Sequence, residues 1–106
     1  MALRHITDSD FDQVVASGVT VVVFWATWCG PCMAFGPIFE AAAGKYPNIN
    51  FAKYEVTDTN KRAAAKFQIR SIPSVLAFKD GKHVDTKIGL MGDDTLDSWL
   101  SELSKK

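Results

Sequence analysis

The run V-T-V-V-V-F-W from Val19 to Trp25 constrains this chain more than any other stretch. Its residues are almost all β-branched or aromatic, and they do not alternate with polar ones. That pattern predicts a central strand buried on both faces, which in turn needs helices on each side of its sheet. The rest of the chain offers them. Residues 3–7 form a short edge-strand candidate. Thr7 and Asp10 have the form of a capping box ahead of Phe11, Val14 and Val15, and Gly18 ends that helix. Phe35, Phe39 and Ala42 or Ala43 share a second helical face that stops at Gly44, with a kink expected at Pro37. Residues 49–56, 74–79 and 83–88 read as further strands. Asp80-Gly81 is a hairpin signal between the last two. Asn60 is placed to cap a short helix running to Phe67. Asp93 and Asp94 open a final helix with Leu96, Trp99, Leu100 and Leu103 along one stripe. In the last strand Val84, Thr86 and Ile88 alternate with His83, Asp85 and Lys87, so one face should be wet. The predicted order is β-α-β-α-β-α-β-β-α, an α/β chain with a mixed open sheet.

A chain of 106 residues is the size of one domain, expected over 1–106. Its 12 basic and 12 acidic residues cancel, which argues against a nucleic-acid partner. No apolar run approaches the roughly 18–20 residues that span a bilayer. The opening M-A-L-R-H-I-T-D-S-D lacks the apolar core of a signal peptide. The expectation is a cytoplasmic chain, or a mature form whose leader was removed, with no membrane partner.

Only two cysteines are present, Cys29 and Cys32, in the C-x-x-C spacing of W-A-T-W-C-G-P-C. The motif lies between the buried strand and the first turn of a helix. Cys29 near a helix N-cap meets unpaired N–H groups and the positive end of the helix dipole, which favour its thiolate. It is therefore expected to be the more exposed and more acidic thiol. Pro31 suits the first helical turn, where a missing N–H costs little. Cys32, three residues on, can reach the Cys29 sulfur, so a reversible disulfide is accessible. Cys29 would attack a substrate disulfide and Cys32 would resolve the mixed disulfide. The other reading of such a pair is structural, or half a zinc site. A closed zinc site would need His5 and His83, distant in sequence, to converge on it, so no metal is expected.

The sequence resembles the thioredoxin family over nearly its whole length. The resemblance is carried by W-C-G-P-C (28–32), F-W-A (24–26), Pro37 inside its helix, I-R-S-I-P-S (69–74), F-K-D-G (78–81) and Gly89. It implies a thioredoxin fold, with a five-stranded mixed sheet flanked by four helices. It also implies a protein-disulfide reductase with no bound cofactor, fed by NADPH through a thioredoxin reductase and acting as a monomer on disulfide-containing client proteins. Cys29 and Cys32 would be catalytic, within an active-site loop that includes Trp28, Gly30 and Pro31. Trp28, Ile72, Pro73 and Gly89 would bind substrate, with Pro73 in the cis form and Ile72 offering its backbone to an extended peptide. Trp25 and Trp99 are assigned to packing. Alternatives are a specialised thioredoxin-like protein with a dedicated client, or a binding subunit on the same fold.

Two departures bear on mechanism. Val23 occupies the position of a buried aspartate that the family commonly uses as proton acceptor for the resolving cysteine. Lys53, matching a lysine often paired with that aspartate, has lost its partner, and Glu55 is a candidate substitute base. Met33 follows the motif where Lys or Arg is common, and Phe35-Gly36 replaces an aliphatic-alanine pair before Pro37.

Overall fold

A computed structural model of the chain describes residues 3–105. Along it run β1 (Leu3–Ile6), α1 (Phe11–Val15), β2 (Val19–Trp25), α2 (Gly30–Ala43), β3 (Ile49–Glu55), α3 (Arg62–Lys66), β4 (Ser74–Lys79), β5 (Lys82–Ile88) and α4 (Asp93–Ser104). The strands form one sheet in the order β1-β3-β2-β4-β5. β3 runs parallel to β1 and β2, whereas β4 is antiparallel to both β2 and β5. This is the five-stranded mixed sheet with four helices expected above.

β2 is the central strand for the reason its sequence gives. Val21 and Val23 face one side and pack with Phe35 and Phe39 of α2 and with Leu96, Trp99 and Leu100 of α4. Val22 and Phe24 face the other, with Phe11 of α1, Tyr54 of β3 and Ala63 of α3. Each such valine adds roughly 1.5–3 kcal/mol through burial. α2 continues through Pro37.

Three local expectations change. The Thr7–Asp10 capping box is half made. The Asp10 carboxylate accepts the Thr7 N–H at 2.7 Å. The Thr7 hydroxyl instead accepts from Ser9 N–H, so α1 starts only at Phe11. Asn60 does not cap α3 either. Its side chain accepts from Asp8 N–H and donates to the Glu55 carbonyl. The first N–H groups of α3, those of Arg62 and Ala63, donate to the carboxylate of Asp8, far away in sequence. The Tyr54 hydroxyl donates to the same carboxylate at 2.6 Å. Partial burial pulls the Asp8 carboxyl upward, but the bonds from Tyr54, Ala63 and Arg62 outweigh it and hold the group below its usual value. Burial first, and the bond to Asp8 second, push the Tyr54 hydroxyl well above its own.

In β5 the strict alternation fails. Phe78 pairs with His83 and Ala77 with Asp85, so Val84 is the extra residue of a bulge. His83 therefore turns to the rings of Phe67 and Phe78. Asp85 turns the opposite way and accepts the Trp99 indole N–H at 2.8 Å. As an edge strand β5 is exposed on both faces, Val84 at 48% and Ile88 at 70%, rather than wet on one.

Candidate active site

The C-terminal end of β2 delivers Trp25 to the point where the chain turns into α2. Cys29 is the N-cap of α2, with extended backbone angles (φ −99°, ψ 108°), and Pro31 sits in the first turn. The Cys29 sulfur accepts the N–H of Cys32 at 3.2 Å, as a serine or aspartate side chain does at other helix starts. Cys29 and Cys32 are joined in a disulfide, their Cα atoms 5.2 Å apart. A sulfur held at the positive end of a fourteen-residue helix is set up to carry negative charge when the bond opens.

Opposite the pair lies the turn that leads into β4. The Ile72–Pro73 peptide bond is cis. Pro73 is buried, and the carbonyl oxygen of Ile72 is 3.6 Å from the Cys29 sulfur. Gly89, at φ +94°, donates its N–H to the Pro73 carbonyl at 2.8 Å. That left-handed conformation suits glycine. The fold thus brings Cys29, Cys32, Ile72, Pro73 and Gly89 together from three elements and their flanking turns. Trp28 stands beside them at 77% exposure. Trp99 is in the core as expected, and Trp25 is half-buried against the cysteine pair.

The expected difference in exposure between the thiols is small in this disulfide form, with Cys29 at 6% and Cys32 at 4%. The asymmetry lies in surroundings. Cys29 abuts the Ile72 carbonyl, while Cys32 lines a cavity with Val23, Lys53 and Glu40 that does not include Cys29. Lys53 has not been left alone by the valine at position 23. Its ammonium donates to Glu40 of α2 at 3.3 Å and lies 4.7 Å from the centre of the Trp25 ring. Glu55, the candidate substitute base, lines a separate cavity with His5 that does not include Cys32.

Sequence reasoning missed three residues. Ile88 and Leu90, exposed at 70% and 52%, flank Gly89, whose N–H is bonded to the Pro73 carbonyl. Two apolar residues flanking a glycine after an edge strand were the available signal. Glu40 gave none, because nothing in the pattern of α2 tells which solvent-side residue a strand lysine will reach.

The sequence model of the thioredoxin family matches residues 2–102. A thioredoxin of Staphylococcus saprophyticus is 46% identical over 97 residues, covering 91% of this chain and 92% of that protein. One of Staphylococcus aureus is 44% identical over the same shares. Among solved structures, the thioredoxin of Malassezia sympodialis superposes with a TM-score of 0.88 at 33% identity, covering 97% of this chain and 91% of that one.

Proposed function

Because this chain belongs to the thioredoxin family and is a thiol–disulfide oxidoreductase, we propose that its two sulfurs act in fixed order. The Cys29 thiolate attacks one sulfur of a client disulfide, and the client's other sulfur leaves as a thiolate. The Cys32 thiolate then attacks Cys29 of the mixed disulfide. The Cys29–Cys32 bond forms, and the second client sulfur leaves with the electron pair. The observation that carries this order is the place of Cys29 as N-cap of α2, its sulfur against the Ile72 carbonyl and apart from the cavity that Cys32 lines.

Trp28, Ile72, Pro73 and Gly89 receive the client, joined by Ile88 and Leu90 as apolar contacts. An extended segment bearing the disulfide lies along the Ile72–Pro73 turn in the manner of strand addition. Gly30 and Pro31 shape the loop. Reducing equivalents come from NADPH through a thioredoxin reductase. The redox chemistry is carried by the two sulfurs, with no bound cofactor. The chain works as a cytoplasmic monomer. No helix among the described residues is long and apolar enough to cross a membrane.

The test is insulin disulfide reduction driven by NADPH and a thioredoxin reductase, with Cys29→Ser as control. Turnover by the wild type and none by the variant is expected. Turnover with dithiothreitol but not with the reductase couple would point instead to a specialised reductant. Equal activity of the variant would overturn the assignment of Cys29.

A further inference from the structure

A cavity of about 230 Å³ opens behind the disulfide, between α2 and the strands β2 and β3. Cys32 is in its wall and Cys29 is not. This placement matters because only a thiolate attacks a disulfide, and a thiol in apolar surroundings holds its proton above the free value of ~8.5. Reaction at neutral pH therefore needs an acceptor that the Cys32 proton can reach.

The charged groups facing this cavity come from two elements. α2 contributes Glu40 and β3 contributes Lys53, while β2 contributes only Val23 and Trp25. His5 and Glu55 lie beyond Trp25 and Lys53, in the neighbouring cavity. Among the described residues, Glu40 is the one carboxylate that lines this space with Cys32. It follows Cys32 by eight positions on one helix, about 12 Å of rise at ~1.5 Å per residue. Helical side chains lean toward the N-terminus, so the Glu40 carboxylate is set back toward the sulfur, with the cavity between them. The space admits a short water chain, since water occupies ~30 Å³ per molecule in the liquid. Gly36 lies along the way, and a Cβ there would meet nothing within 4 Å. The Trp25 ring closes one side of the cavity and lies under the Lys53 ammonium.

We propose that Glu40 is the proton acceptor for the Cys32 thiol, reached through water in this cavity and held there by Lys53. The Cys32 S–H proton passes through water to the Glu40 carboxylate. The resulting thiolate attacks the Cys29 sulfur, the Cys29–Cys32 bond forms, and the bond from Cys29 to the client breaks. The client sulfur leaves with the electron pair. Glu40, its side chain 51% exposed, then returns the proton to solvent, while Lys53, at 12%, stays fixed between the carboxylate and the Trp25 ring.

This inference rests on Cys32 being the resolving thiol, and one experiment separates the two claims. Reduced protein is mixed with a disulfide-bonded peptide, acid-quenched at millisecond intervals, and analysed by mass spectrometry between about pH 6 and pH 9.5. Cys32→Ser should accumulate the mixed disulfide; if it does not, both claims fall. Glu40→Gln should form the mixed disulfide at the wild-type rate. It should resolve it about a hundred-fold more slowly near pH 6.5, the lower end of the range for a lost general base. The deficit should close toward the alkaline limit, where the thiol ionises unaided, and Glu40→Asp should recover part of the rate. Wild-type resolution by Glu40→Gln near pH 6.5, or a deficit that persists unchanged at pH 9.5, would overturn the role of Glu40 alone.

Discussion

Val23 stands where the family resemblance leads one to expect a buried aspartate, and its surroundings define what a carboxylate there would meet. It is 3% exposed, lies beside Lys53 in the parallel β2–β3 register, and shares the wall of the Cys32 cavity. Val23→Asp should destabilise the protein at neutral pH by about 1–3 kcal/mol, the usual cost of burying a polar group that is imperfectly paired. Burial raises the folded-state pKa of the new carboxyl above its unfolded value of ~3.9. The charge-related cost therefore sets in as pH rises above that value and levels off once the folded-state pKa is passed. Urea melts at pH 4 and pH 8 check this; equal losses at both would mean that Lys53 fully neutralises the new charge. The burial of position 23 is legible because an unbroken apolar run leaves a strand no wet face. Cys29, Cys32 and Pro73 are legible as short motifs, since a local turn and a helix start fix their geometry. Ile88 and Leu90 left a signal in the apolar residues around Gly89, whereas Glu40 left none, because its contact with Lys53 arises only when α2 meets β3.

At the level of elements, the strands follow directly from composition, while the helix starts do not. α3 has only five residues and no side-chain cap of its own. Asp8, from the loop after β1, satisfies its first N–H groups and the Tyr54 hydroxyl together. No local pattern around Asn60 could disclose a cap delivered from across the sheet. Asp8→Ala should cost about 1–2 kcal/mol, the loss of a helix cap. The native bonds lower the folded-state pKa of Asp8 below the usual 3.8. Its contribution is thus fully present above 3.8 and is lost as pH falls through the lower folded value. The stability gap between wild type and variant should stay constant from about pH 5 to pH 8 and narrow below ~3.8. Denaturant melts across that range measure it; a gap that widens in acid would contradict the assignment. The bulge at Val84 was hidden for a related reason. An extra residue leaves the local composition of a strand unchanged and appears only once the partner strand is in register.

Across the whole molecule, the sheet divides the apolar residues into two cores with β2 common to both. Stability should therefore fall from the centre outward. Native-state hydrogen exchange should be slowest at the amides of β2 and of the β4 positions paired with it, and should approach the global unfolding limit there. The outer strand β5, exposed on both faces, should exchange by smaller openings. Protection in β5 equal to that in β2 would show a single cooperative unit instead. The sheet's outer margin has one further consequence. β5 carries Lys82, Asp85 and Lys87, and the extra residue at Val84 interrupts its regular pairing. A twisted, charged rim is a poor template for another chain to lengthen the sheet. Clients that present extended, partly unfolded segments would otherwise adhere along such a rim and seed aggregates. With the β5 margin blunted, the extended client segment proposed above is turned away from this edge and toward the turn beside Cys29.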